Sequence, residues 1–248
     1  MKKIFLVLLF LSVSLFAQKL NIAVAANVSY AIDDLIKKFN EKNPDTKVLV
    51  TLGSSGKLTA QIKNGAPYEI FMAANMKYPD TLYAEKIAIT EPIVYAQGSL
   101  AILSAKQRDY SKGINLVKEN TITKIAIANP KTAPYGKASV EAMKNAKIYD
   151  DVVTKFVYGE SISQTVSYAV TAADLGFIAK SSLYSDKMKK YKEGINWTDV
   201  DPKLYTPINQ GIVILKNAKD KKEAKAFYDF MLSNEAKKIF KEYGYLVP

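Results

Sequence analysis

Four times in this chain of 248 residues a short apolar run ends in a small neutral turn, and the turn opens a stretch with helical spacing. The turns are Ala25-Ala26-Asn27-Val28-Ser29, Gly53-Ser54-Ser55-Gly56, Thr132-Ala133-Pro134-Tyr135-Gly136 and Gly159-Glu160-Ser161-Ile162. Strands that each lead into a helix pair through crossovers, which predicts an α/β fold with largely parallel sheets covered by helices. The same turns aim backbone N–H groups and hydroxyls out of helix N-termini. Such ends bind anions without a cationic side chain.

The pattern can be followed along the chain. Leu20 to Ala26 reads as a buried strand, and Ile32, Leu35, Ile36 and Phe39 mark one face of a helix that Asn43-Pro44-Asp45 stops. Val48 to Leu52 is a second strand, Leu58 and Ile62 frame a short helix, and Glu69 to Ala74 is a third strand. After Ile93 to Ser104, a long β-type run with Gly98 inside it, the pattern restarts. Strands are expected at 125–128, 155–158 and 175–179. Helices are expected around Val140, Met143 and Ile148 and over 161–172. Residues 181–204 read as irregular. Ile208 to Leu215 is a second long β run, and two amphipathic helices follow, the last capped by Gly244. If the two long runs cross between halves, the chain forms two lobes with a cleft between them, residues 18–96 with 211–248 in one and 97–210 in the other. Open α/β sheets bind ligands where strands end and helices begin, which is where the four turns fall.

Composition narrows the chemistry. There is no cysteine and no histidine. Thiol chemistry, a Ser-His-Asp triad and the commonest transition-metal ligand are thereby excluded. The net charge of +11 is spread among acidic residues, without a basic-aromatic module, so attraction of small anions is expected and nucleic acid is not. Residues 1–17 pair Lys2 and Lys3 with an apolar stretch too short to span a bilayer, and Ala17 suits cleavage. This reads as a secretory signal peptide, with no cysteine after it to carry a lipid.

Several motifs read as structure rather than chemistry. Gly53 to Lys57 evokes a phosphate-binding loop, but that spacing requires Gly at 51 and Ser or Thr at 58, where Thr51 and Leu58 stand. Asp33-Asp34 and Asp150-Asp151 are neighbours that do not share a helix face, and read as solvated. Trp197 reads as packing, Lys57 as solvated, and Glu160 as a carboxylate that must turn away from any bound anion.

The segments AAN-S, GSSG-L--QI--GAP-EIF-AA, NP---PYG, LGFIA and AFYDFML---A---F--YG together resemble the molybdate-binding proteins of bacterial ABC importers, from about Asn21 to the C-terminus. The resemblance implies a two-lobed type II periplasmic-binding fold, with two mixed or parallel sheets flanked by helices and two crossing hinge strands. It implies a monomer without cofactor or enzymatic activity that captures molybdate or tungstate in the periplasm for a membrane permease. The implied ligand residues are Asn27, through its N–H and side-chain NH2, Ser55, Tyr135 and the Ile162 N–H, with Ser54 and Ser161 as further candidates. The chain departs from the pattern at Asn27, where a Ser is usual, and at Ala179, where many members have a Tyr whose hydroxyl Tyr135 would replace. The alternatives are a carrier of sulfate or another tetrahedral oxyanion, an exported hydrolase, and an adhesin.

Overall fold

The computed structural model describes residues 18–248, so the signal peptide expected at 1–17 lies outside the described residues. The chain folds around two five-stranded sheets. The first half begins with β1 (Gln18–Ala25), a 3-10 turn over Ala26–Tyr30 and α1 (Ile32–Asn40), followed by β2 (Thr46–Gly53) and α2 (Ser55–Lys63). It continues through β3 (Ile70–Met72), α3 (Lys77–Ala84) and β4 (Ile93–Gly98). The second half holds β5 (Leu100–Leu103), β6 (Ile125–Ala128), α4 (Pro134–Asn145), α5 (Tyr149–Val152) and β7 (Phe156–Gly159). It ends with α6 (Ile162–Thr171), β8 (Leu175–Ala179) and β9 (Trp197–Asp199). The chain then returns through β10 (Ile208–Ile214), α7 (Lys222–Leu232) and α8 (Asn234–Glu242) to the first sheet.

The strand orders are β2-β1-β3-β10-β4 and β7-β6-β8-β5-β9. β1 pairs in parallel with β2 and β3, and β6 with β7 and β8, whereas β10 and β5 run antiparallel to their neighbours. Both sheets are therefore mixed. The long run over 93–104 divides at Ser99, with β4 in the first sheet and β5 in the second. The run at 208–215 does not bridge the sheets. All of β10 lies in the first, and the return passage is the segment before it. Gly98 does not take a positive φ; its reason is the close approach described below. α3 was not anticipated, and α4 begins at Pro134, inside the expected turn, and ends before Ile148. Proline suits a first helical position, where its missing N–H would have no partner anyway.

Each sheet carries its own core. Behind the first, Phe39 of α1 is 1% exposed and meets the edge of Phe227 of α7 at 5.0 Å. Truncating such a ring to Ala costs about 3–5 kcal/mol. Trp197 packs against the second sheet and donates to the Tyr191 carbonyl at 3.3 Å, as expected of a packing residue. Parallel pairing sends the C-terminal ends of β1 and β2 to one edge of the first sheet and those of β6 and β7 to one edge of the second. The helices that start there face each other across the gap.

Candidate functional site

One small cavity gathers Asn27, Ser54, Ser55, Tyr135 and Ile162 from these helix starts, and no charged side chain lines it. Its free volume is about 10 Å³. Ser54 is the N-cap of α2 and Ser55 its first residue. Tyr135 is the second residue of α4 and Ile162 the first of α6. The first N–H groups of a helix have no partner within it, so Ser55, Tyr135 and Ile162 each present a backbone donor. Asn27 lies in the 3-10 turn after β1 and is fully buried. Ser161 does not line the cavity; its hydroxyl caps α6 by accepting from the Gln164 N–H at 3.3 Å.

The side chains have defined roles. Ser55 Oγ accepts from the Ala74 N–H at 2.9 Å, which leaves its own proton to be donated. Ser54 Oγ is buried without a partner. The Asn27 amide differs from expectation. Nδ2 donates to Gln210 Oε1 at 2.8 Å and to Tyr245 Oη at 3.0 Å, so both amide hydrogens are engaged away from the cavity and Oδ1 is left without a partner. Asn27 thus offers the cavity its backbone N–H.

Tyr135 is 1% exposed, and its hydroxyl oxygen accepts from Gln210 Nε2 at 3.3 Å. Burial pushes the Tyr135 hydroxyl well above the ordinary 10.0, with nearby Tyr245, Tyr95 and Tyr205 adding to the effect. It stays a neutral donor throughout the physiological range. Ala179 is buried at the end of β8 and brings no hydroxyl, as the sequence requires.

Sequence reasoning missed Tyr95, Gln210 and Tyr245, which form a buried polar layer behind Tyr135 and Asn27. Tyr95 Oη donates to Gln210 Oε1 at 2.8 Å, and Tyr245 Oη donates to the Asn27 carbonyl at 2.8 Å. The one signal available for Gln210 was a polar residue, wholly buried here, inside the apolar run INQGIVIL.

Besides the Gln210–Tyr135 hydrogen bond, further contacts among the described residues bridge the two halves around the cavity. The Gly56 N–H donates to the Thr132 carbonyl at 2.9 Å. Ser163 Oγ donates to the Ala26 carbonyl at 2.7 Å and lies 3.3 Å from Ser29 Oγ. Ser181 Oγ donates to the Asn27 carbonyl at 3.1 Å. The Lys57 ammonium pairs with the Glu160 carboxylate, both side chains being largely exposed. Lys57 is largely exposed, as expected of a solvated side chain. Glu160 turns away from the cavity and finds this cation.

A family model for bacterial extracellular solute-binding proteins matches residues 20–246. The molybdate-binding protein ModA of Azotobacter vinelandii is 37% identical over 231 residues, covering 92% of this chain and 90% of that protein. ModA of Rhodobacter capsulatus is 37% identical over 227 residues, covering 90% and 86%. The solved structure of the Azotobacter vinelandii periplasmic molybdate-binding protein superposes with a TM-score of 0.84 at 31% identity, covering 92% of this chain and 99% of that one. The chain belongs to the bacterial extracellular solute-binding protein family, a family of transport binding proteins rather than enzymes.

Proposed function

We propose that this solute-binding protein captures molybdate, or tungstate, outside the cytoplasm and delivers it to the membrane permease of an ABC importer. One observation carries the reading: a buried cavity at converging helix starts, lined by neutral donors and by no charged side chain. A tetrahedral dianion would accept from the N–H groups of Asn27, Ser55 and Ile162, the hydroxyls of Ser55 and Tyr135, and the free Ser54 hydroxyl. Hydrogen bonds to a charged group contribute about 1.5–3 kcal/mol each, and low local dielectric strengthens them. Six such bonds offset the cost of stripping water from the anion.

The donors come from segments we assign to two lobes, expected as 18–96 with 211–248 and 97–210 and here moved to 18–98 with 208–248 and 99–207, because β4 and β10 lie wholly in the first sheet. The protein acts as a monomer exported by a signal peptide over 1–17. Hinge closure completes the shell, and the permease releases the anion by opening it. The free space of about 10 Å³ holds no oxide as it stands, so binding requires the donors to part and close again around the anion. A shell closed on the longer bonds of molybdate would leave sulfate with long, weak hydrogen bonds. Hydrogen phosphate brings a proton that needs an acceptor, and the buried lining oxygens without a partner are Asn27 Oδ1 and Ser54 Oγ.

The test is calorimetry on the mature chain with molybdate, tungstate, sulfate and phosphate. The expected result is tight binding of the first two, with the others at least about tenfold weaker. Sulfate or phosphate binding as tightly as molybdate would overturn the assignment, as would the absence of heat with all four.

A further inference from the structure

A tyrosine hydroxyl can donate or accept, and only a donating Tyr135 helps hold a dianion. The choice is settled behind the cavity, in steps that begin at the C-terminus. Tyr245 has one hydroxyl proton, and it goes to the Asn27 carbonyl at 2.8 Å. The Tyr245 oxygen can then only accept from the Asn27 side chain, so the atom 3.0 Å away is Nδ2. The second hydrogen of that Nδ2 points at Gln210, which must present Oε1, at 2.8 Å. Tyr95 donates to the same Oε1 at 2.8 Å and reinforces the orientation. Gln210 is left with Nε2 facing Tyr135 at 3.3 Å, so the Tyr135 oxygen accepts there and its proton has no partner behind it.

We propose that Gln210, oriented by Asn27, Tyr95 and Tyr245, is a positioning residue that commits the Tyr135 proton to the bound anion. The inference rests on the oxyanion reading above. Backbone geometry serves the relay. Gln210 pairs with Ala96 and Gly211 with Val94, so β4 carries one extra residue, Tyr95, at a bulge. Bulges re-aim side chains beside functional sites, and this one lets neighbouring strands β4 and β10 bring Tyr95 and Gln210 together. Gln210, Tyr95 and Asn27 are each 0% exposed, so bulk water does not compete for these bonds.

The test is a double-mutant cycle read by calorimetry with molybdate. Gln210→Met keeps the side-chain volume and removes the amide; Gln210→Leu is the second variant should the first not fold, with folding judged by circular dichroism without ligand. Alone, the substitution is expected to weaken binding about tenfold, because Tyr135 is freed to turn its proton away. In a Tyr135→Phe background the same substitution is expected to cost less than about threefold, because the proton it orders is already gone. Equal losses in both backgrounds, or no loss in either, overturn the relay while leaving the oxyanion reading intact. Wild-type protein that binds neither molybdate nor tungstate overturns that reading, and the relay with it.

Discussion

Gly98 and Tyr135 fit together only because Gly98 lacks a side chain. A Cβ at Gly98 would fall well inside contact distance of the Tyr135 hydroxyl, 2.9 Å from Tyr135 Cζ and 2.7 Å from Gln210 Nε2. The residue where the chain leaves the first sheet is thus also the floor beneath the hydroxyl that completes the cavity. Gly98→Ala is expected to displace Tyr135 and to weaken molybdate binding at least about tenfold, with an overpacking cost of about 1–3 kcal/mol in stability. Calorimetry and thermal melting of the variant check both; unchanged affinity would remove the steric argument.

Ser55→Ala and Tyr135→Phe should separate a donor that also supports the fold from one that serves the ligand alone. Each removes one charge-assisted bond worth about 1.5–3 kcal/mol, or about 10- to 100-fold in affinity. Ser55→Ala also leaves the buried Ala74 N–H without its acceptor and should lower the ligand-free melting temperature. Equal ligand-free melting in Ser55→Ala and wild type would contradict the role of Oγ as that acceptor.

Lys57, two residues after Ser55, and Glu160, two residues before Ile162, pair between the two halves with both side chains largely exposed. Exposed pairs contribute little, and loss of the carboxylate also removes its repulsion of the anion, so Glu160→Gln should change anion affinity by no more than about fivefold. The difference from wild type should vanish in 1 M salt, where screening acts over about 3 Å. A larger, salt-independent loss would mean that Glu160 acts on the site in some other way.

The affinity should hardly vary with pH across the neutral range, since the chain has no histidine and the lining has no ionisable group except Tyr135. Burial raises the hydroxyls of Tyr95, Tyr135 and Tyr245 above 10.0. The folded state favours the neutral phenols, so their contribution is complete below the unfolded value of 10.0 and is lost as pH rises through the folded values above it. Melting temperature against pH should therefore be flat near neutrality and fall above pH 10. A fall centred below pH 9 would contradict the burial of these groups.

Much of the site was legible because its donors sit where local pattern changes from strand to helix. Ser54 and Ser55 follow β2 directly, and Ile162 opens α6 after the Ser161 cap, so a turn seen in sequence gives the position of a free N–H. What could not be read is the layer behind the cavity. Asn27, Gln210 and Tyr245 meet across separations of 183 and 218 residues, and no local pattern encodes which strands become neighbours. The same ignorance of pairing made Ile208 to Leu215 look like a passage between sheets rather than a strand between β3 and β4. α3 escaped notice because Lys77–Ala84 buries only Pro79 and Leu82, too few apolar positions to reveal a helical period.

The central claim is that neutral donors from both halves enclose a metal oxide dianion. A crystal structure of the mature protein grown with molybdate, using the anomalous scattering of molybdenum, tests it most directly. The account predicts a single strong peak between Ser55 Oγ and Tyr135 Oη, with oxide oxygens on the N–H groups of Asn27, Ser55 and Ile162. A peak elsewhere, or an oxide held chiefly by lysine ammonium groups, would contradict it.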